Sequence, residues 1–449
     1  MSGDPEVVIC GAGIAGIATA FELVVRRGWR HVVLVDERPP LSLTSDKSTE
    51  AYRNWWPGPD PAMVQLMNRS IDRLEGLARE SGNIFRLNRR GYVYATAEPA
   101  RIPLFRQAAE IAERQGAGPL RVDAYEPPAP EGFEHEPDGA DLLLDAGLFR
   151  RHFPYLSEQT VAIIHARRAG WFSSTEFGTY LLERARAAGL RLVTDRVTAV
   201  GAPGGRVQSV RLGQGQTLPC SVFVNAAGPL ASDVAGLLDL SLPLFCERHT
   251  KLAFHDHLGI VPRDAPLLIW ADPQRLPWTD EEREILAEDP ATESLLAEMP
   301  AGAHTRPEGG GSSDILLMLW AYDAHPVPPV LPPEFDPSFA DVVLRGLMPL
   351  LPGLSQYLGH APRPAIDGGY YVKTRENRLL AGPLPVEGAY IIGALSGYGL
   401  MAACGAAELL ADHITGAPLP DYAPAFAPAR YSDPAYLKQL ETWDDAGQL

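Results

Sequence analysis

Cysteine is scarce in this chain. Only Cys10, Cys220, Cys246 and Cys404 occur in 449 residues, dispersed and without a CxxC pair. Neither a disulfide framework nor a zinc site is expected from that pattern, and no metal is assigned. Positive charge is also short: 39 Lys and Arg stand against 56 Asp and Glu, a formal net charge of −17. A nucleic-acid scaffold or an anionic-membrane binder needs a basic face, so both classes are excluded. No run of about 18 uninterrupted apolar residues occurs, so no membrane span is expected. The opening Met1-Ser2-Gly3-Asp4-Pro5-Glu6 lacks the basic-then-apolar pattern of a secretory signal. A cytoplasmic, reduced protein is the expectation. With 46% hydrophobic and 21% charged residues the composition is that of a globular chain, and at roughly 150 residues per domain two or three domains are expected. The 42 glycines and 42 prolines imply many loops, as in a large α/β enzyme.

The first organised unit spans residues 6–36. The apolar run Glu6-Val7-Val8-Ile9-Cys10 reads as a buried parallel strand, and Gly11-Ala12-Gly13-Ile14-Ala15-Gly16 follows at once. Ile17, Ala20, Phe21 and Val24 then recur at helical spacing up to Arg26-Arg27-Gly28, and His31-Val32-Val33-Leu34-Val35-Asp36 is a second strand ending in an acid. A strand, glycine turn, helix and strand within about 30 residues is a βαβ unit. In such a unit Gly11 permits the tight turn, Gly13 lets a diphosphate approach the chain, and Gly16 lets helix pack on strand. Asp36 lies 20 residues past Gly16, at the separation where an acid meets a ribose 2′-hydroxyl, with Glu37 as the adjacent alternative. This unit binds a dinucleotide but does not separate NAD from FAD.

Further along, residues 61–82 read as a helix with Val64, Met67, Ile71, Leu74 and Ala78 on one stripe. Gly91-Tyr92-Val93-Tyr94 is a strand, and residues 122–141 a surface loop. A helix is expected over 176–189 and a strand over 191–193. Residues 207–212 and 218–225 flank Gly213-Gln214-Gly215 as a hairpin, and Asn225-Ala226-Ala227-Gly228-Pro229 ends the second strand and opens a helix. Residues 323–337 are a proline-dense connector, Tyr370-Tyr371-Val372-Lys373 and Tyr390-Ile391-Ile392-Gly393 are strands, and a small-residue helix runs from Ala402 to His413. The tail 417–449 is expected to wrap the surface. Between the last strand and that helix lies Gly393-Ala394-Leu395-Ser396-Gly397-Tyr398-Gly399-Leu400-Met401. A second glycine-rich turn before a helix suits a flavin, whose reduced ring is anionic at its pyrimidine edge and is stabilised by N–H groups at a helix N-terminus.

These segments, in this order and spacing, resemble the D-amino-acid-oxidase-like family of FAD oxidoreductases, which includes glycine oxidase, sarcosine oxidase and dimethylglycine dehydrogenase. The resemblance runs through most of the chain. It rests on the opening glycine motif and Asp36, on Ser45-Asp46-Lys47-Ser48-Thr49-Glu50-Ala51-Tyr52-Arg53, on Phe223-Val224-Asn225-Ala226-Ala227-Gly228-Pro229, on Gly369-Tyr370-Tyr371-Val372-Lys373-Thr374-Arg375-Glu376-Asn377 and on Ala394-Leu395-Ser396-Gly397-Tyr398-Gly399. It implies an α/β fold with mixed α+β character. A Rossmann-like FAD domain (1–85, 156–240 and 362–449) would interleave with a mixed-sheet substrate domain (86–155 and 241–361). It implies that Gly11, Gly13, Ile14, Ala15, Gly16, Asp36 or Glu37, Ser45, Ser48 and Thr49 serve the cofactor. Val197 would meet the adenine through its backbone, Ala227 and Gly228 would line the dinucleotide, and Gly397, Tyr398, Gly399, Leu400 and Met401 would run under the flavin ring. Two departures point to non-covalent FAD. Gly369 stands where sarcosine-oxidase-like members carry a flavin-bonding cysteine, and no histidine occurs between His31 and His135 to match the dimethylglycine dehydrogenase pattern. Met401 stands where monomeric sarcosine oxidases have a lysine, so oxygen and another electron acceptor both remain open.

The expected reaction is oxidation of a C–N bond in an amino acid, N-alkyl amino acid or related amine, by hydride transfer to FAD with hydrolysis of the resulting imine. Such a substrate wants a bidentate arginine for its carboxylate, and Arg53 is the candidate. Trp55, Trp56, Trp320 and Tyr322 are candidate aromatic walls. Tyr371 and Lys373, two apart on one strand face, are candidates to meet substrate or flavin, as are His249 and Lys251. His255 and His257 have metal-like spacing but no third ligand, and read as solvated; the acidic run 280–284 reads as an exposed helix face. Rival readings are a flavoprotein dehydrogenase of a 2-hydroxy acid, an NAD-dependent dehydrogenase, and an FAD-bound subunit of a larger electron-transfer complex.

Overall fold

The N-terminal strand–turn–helix–strand unit sits at the centre of a six-stranded sheet. In the computed structural model, which describes residues 6–290 and 292–443, Val7–Cys10 and Val32–Asp36 pair in parallel. All four residues of the first strand are buried, as a strand covered on both faces requires. Val222–Asn225 joins on one side and Arg191–Thr194 on the other, both parallel. Ala389–Gly393 extends the sheet in parallel, and the edge strand Leu380–Pro383 closes it antiparallel. The helices Ile14–Phe21, Ser174–Ala187 and Gly399–Thr415 cover one face and join the largest apolar core. The helix over 61–82 is Ala62–Ser81, stopped by Gly82 in the left-handed region.

A second sheet of nine strands carries the rest. Its spine is the long strand Phe245–His255, hydrogen-bonded on one side to Ala365–Lys373 and on the other to Ile315–Leu319. His304–Glu308, Leu267–Trp270 and Tyr92–Thr96 continue it, followed by Ala162–Ala166, Ala140–Leu143 and Leu120–Val122. A separate core around Trp270, Trp320, Phe339 and Tyr357 backs this sheet. Two of its strands, Ala162–Ala166 and Ala365–Lys373, come from segments that the division by sequence assigned to the dinucleotide unit. Strand pairing, which ignores chain order, puts both in the nine-stranded sheet.

One sequence expectation is corrected outright. Residues 218–225 are not a single strand. Thr217–Pro219 pairs back on Ser209–Leu212, and the chain breaks at Cys220 and Ser221 before Val222–Asn225 enters the six-stranded sheet. Pro219, which has no N–H to offer, ends the first piece. The loop read over 122–141 is bracketed at its ends by the strands Leu120–Val122 and Ala140–Leu143. The acidic N-terminus through residue 5 and the last six residues of the tail lie outside the described residues. Among the described residues no helix is long and apolar enough to cross a membrane, and no group of His, Cys, Asp and Glu side chains forms a metal cluster.

His165 shows how firmly the second sheet is built. It is fully buried, with Nε2 donating to the Arg90 carbonyl at 2.8 Å and Nδ1 accepting from the Tyr125 hydroxyl at 3.2 Å. Burial, reinforced by the Arg167 charge, pushes its pKa down to about 3. In the unfolded chain the same group titrates near 6.5. As pH falls through that value the unfolded state takes up a proton that the folded state refuses, so stability is full above the unfolded pKa and declines below it. The thermal midpoint is expected to drop as pH falls from about 6.5 to about 4. His165→Gln should melt lower at neutral pH, yet fall less steeply over the same window.

Candidate active site

Two cavities meet at a shared wall. The first encloses about 870 Å³, solvent at its mouth included, and is lined by Gly11 to Ala15, Asp36, Ser42 to Ser45, Ser48, Ala226 to Pro229 and the bend from Gly393 to Leu400 except Tyr398. The second lies on the nine-stranded sheet and is lined by Thr49, Arg53, Trp56, Tyr92, Glu247, His249, His304, Trp320 and Lys373, among others. Tyr371 and Gly397 border both.

The first cavity offers donors and open backbone. Gly11 adopts φ +110, and a Cβ there would collide with the Ala226 carbonyl, so only glycine fits the crossing of strand and helix. Gly16 does not line the cavity; its missing side chain lets the helix lie against the Gly11 carbonyl. Gly13 differs, since a Cβ there would meet only the Ser45 hydroxyl at 3.3 Å. It opens onto the cavity. Ser45 Oγ accepts the Ile14 N–H at 2.9 Å, and Ser48 Oγ accepts that of Glu50 at 3.0 Å. Asp36 takes the Ala12 N–H on Oδ2 at 2.7 Å and the Arg38 N–H on Oδ1 at 2.9 Å. Each carboxylate oxygen keeps a second lone pair for a hydroxyl. At the far end, Ala394 and Ser396 sit at φ 53 and 46, left-handed conformations costly for residues with a side chain. Ser396 Oγ is buried on the cavity wall without a hydrogen-bond partner. The helix Gly399–Thr415 starts immediately after, and its first-turn N–H groups have no intrahelical acceptor.

The second cavity is aromatic and charged. Arg53 is buried in the short strand Ala51–Arg53. Its guanidinium lies 4.6 Å over the Trp56 ring and 5.8 Å from that of Tyr92, and donates to the Tyr94 hydroxyl at 2.8 Å. Trp56 also meets Tyr398 edge-on at 5.2 Å. On the opposite wall Glu247 accepts from His249 Nε2 at 3.1 Å and from Lys373 Nζ at 3.3 Å. Burial works against that carboxylate, but His249 and Lys373 outweigh it and hold its pKa below the usual range. Burial wins at His249, whose pKa is pushed down despite Glu247. The His249 ring lies on Tyr371 at 3.8 Å and 15°, and burial raises the Tyr371 phenol.

Several sequence assignments move. Glu37 is exposed and lines neither cavity, because it follows Asp36 past the strand end. Thr49 lines the second cavity, its carbonyl tied to Arg306 Nε at 2.6 Å. The Val197 side chain packs into the core with Cys10 and Val35, and the contact expected of this residue is through its backbone. Trp55 is buried against Tyr94 and is a core residue. The Gly397–Met401 bend is two-sided: Gly397, Gly399 and Leu400 face the first cavity, while Gly397, Tyr398 and Met401 face the second. Lys251 donates to the Asp46 carbonyl at 2.8 Å and Tyr322 stacks on Phe339, so neither lines a cavity. His255 bonds Asp314 at the surface. Sequence reasoning missed Tyr92, Glu247 and His304. Tyr92 lies in a strand that was found, but its side was not determined, and nothing marked His304.

A family model described as FAD dependent oxidoreductase (DAO) matches residues 6–413. The chain belongs to that family. As an FAD-dependent oxidoreductase it has solved structures of similar fold. L-proline dehydrogenase from P. horikoshii is 18% identical with a TM-score of 0.74, covering 96% of this chain and 99% of that one. Glycine oxidase from Geobacillus kaustophilus is 17% identical with a TM-score of 0.71, covering 94% and 97%. Iminodiacetate oxidase from Chelativorans sp. BNC1 is 19% identical with a TM-score of 0.70, covering 94% and 99%. The first cavity fits FAD: it offers helix N-terminal amides, the Gly13 opening, the Asp36 carboxylate and an unsatisfied Ser396 hydroxyl.

Two glycine substitutions separate folding from cofactor binding. Gly13→Val should fold with a near-native melting profile but bind FAD at least about tenfold more weakly (about 1.4 kcal/mol). Gly11→Ala should instead lower the apoprotein's melting temperature, because its Cβ meets backbone. Flavin per chain and calorimetry of the apoprotein check both.

Proposed function

We propose that this FAD-dependent oxidoreductase oxidises the C–N bond of a carboxylated amine, an amino acid or N-alkyl amino acid, held in the second cavity. The observation that carries this reading is Arg53. Its guanidinium is held by Trp56, Tyr92 and Tyr94 in the lining of the second cavity, which shares Tyr371 and Gly397 with the first. A planar, pre-oriented guanidinium matches a carboxylate in bidentate fashion. When bound, FAD supplies the two-electron oxidation. The protein's own groups do the rest. Asp36 and the first turn of the N-terminal helix hold the adenosine and diphosphate end. The amides opening Gly399–Thr415 stabilise negative charge at the ring. Arg53 and Lys373 place cations near the substrate and favour its neutral, reactive amine. Trp56, Tyr92 and Trp320 exclude water from the reacting carbon. The cofactor is held without a covalent bond; none of the four cysteines lines either cavity.

Similarity in fold to L-proline dehydrogenase, glycine oxidase and iminodiacetate oxidase supports the choice of a C–N bond over a C–OH bond. The test is anaerobic bleaching of the flavin by a panel of amino acids, N-methyl amino acids and 2-hydroxy acids. Bleaching by amines and not by hydroxy acids is expected, and the reverse order would overturn the reading. Arg53→Ala should weaken carboxylated substrates by about 2–4 kcal/mol, measured as the concentration that half-saturates reduction. Acid precipitation should release all flavin into the supernatant.

A further inference from the structure

Arg53 accounts for a substrate's carboxylate but leaves its nitrogen without a partner. We infer that His304 receives that nitrogen: its Nε2 accepts a hydrogen bond from the substrate's amino group and makes the cavity selective for amines. The inference rests on the reading of the second cavity as the amine site.

His304 opens the strand His304–Glu308, between Ile269 and Leu319 of its neighbours. Its ring lines the second cavity. Nδ1 lies 2.8 Å from the Gly302 carbonyl. A carbonyl can only accept, so the proton is assigned to Nδ1 and Nε2 is left as a lone pair. His304 makes no other side-chain hydrogen bond among the described residues. Rotating the ring to offer a donor would break the Gly302 bond, so the acceptor is fixed. Burial, with the charges of Arg53 and His249 against the pull of the Gly302 carbonyl, lowers its pKa to about 4. The imidazole is therefore neutral near pH 7, as an acceptor must be.

The other polar groups on the wall serve less well. Arg53 and Lys373 only donate. Glu247 takes both His249 and Lys373 on one oxygen, Oε2; its Oε1 can accept as well, and the His304 variants below separate the two. His249 spends its Nε2 proton on Glu247, and the charges that act on it are those of Glu247, Lys373 and Asp323. His304 spends Nδ1 on a backbone carbonyl instead, and lines the same cavity as Arg53. Nitrogen and carboxylate of an α-amino acid are separated by a single carbon. The acceptor for one must share a cavity with the cation for the other, as His304 and Arg53 do.

The test compares L-proline with cyclopentanecarboxylate, which keeps its ring and carboxylate but has no nitrogen. Both are titrated anaerobically into the FAD-loaded protein and read by the flavin spectrum. Wild type should bind proline more tightly. His304→Phe should weaken proline by about 2- to 10-fold, the range for a hydrogen bond between neutral partners, and leave cyclopentanecarboxylate unchanged. His304→Gln, which keeps an acceptor oxygen, should recover part of the loss, and His304→Leu should repeat the Phe result if the larger ring disturbs folding. Equal weakening of both ligands would make His304 a packing residue and overturn the inference. So would unaltered preference in both apolar variants. A wild type that does not favour proline over the nitrogen-free acid would instead overturn the amine reading itself.

Discussion

The bend from Ala394 to Gly399 is the constraint on which the catalytic architecture depends. It follows the last parallel strand of the six-stranded sheet and leans on the edge strand of the other. Ser396 N–H donates to the Val372 carbonyl at 2.9 Å, and the Tyr398 hydroxyl to that of Asn377 at 2.8 Å. Two side-chain-bearing residues in left-handed conformations cost of order 1–3 kcal/mol each, and these cross-sheet bonds hold them there. Behind Asn377, Glu376 adds a buried anchor. Its Oε1 accepts from Arg430 Nε and Nη2 at 3.0 and 2.8 Å, and from the hydroxyls of Tyr431 and Tyr436. Arg430 overcomes the burial that would neutralise this acid and lowers its pKa. Losing either partner would leave an uncompensated charge in the interior.

The two cavities divide the electrostatic work. The first is built from backbone amides, small residues and one half-buried carboxylate, which suits a phosphate-bearing ligand that must come close to the chain. The second gathers Arg53, Lys373 and two neutral histidines around a single acid, Glu247, whose Oε2 takes both His249 and Lys373. Its local field is therefore cationic on a chain whose net charge is −17. A carboxylated molecule approaching this protein is repelled by the surface and attracted by the pocket, a contrast that favours capture inside over adhesion outside.

Much of this was legible in the sequence where the physics is local. The glycine turn, its flanking strands and Asp36 follow from period and spacing, and so does the amphipathic helix Ala62–Ser81. The glycine-rich bend could be placed because a strand, glycines and a helix of small residues adjoin. Side-chain direction was harder to read. Trp55 and Trp56 are neighbours, yet one packs in the core and the other walls the cavity, since the chain leaves the strand after Arg53. Thr49 lines the second cavity and the Val197 side chain enters the core, because strand pairing with distant segments orients them. His304 left no mark at all: its role arises from a backbone carbonyl two residues back and from an arginine about 250 positions away.

The first cavity joins segments far apart along the chain. Gly11 and Gly13 stand on one side of it, and the bend about 380 residues later stands on the other. The βαβ unit alone makes only part of the enclosure; the remainder forms once distant strands have paired, a loop closure whose entropic cost grows only slowly with the length of the intervening chain. Insertions between the two walls are therefore tolerated by this cavity as long as both sheets still assemble.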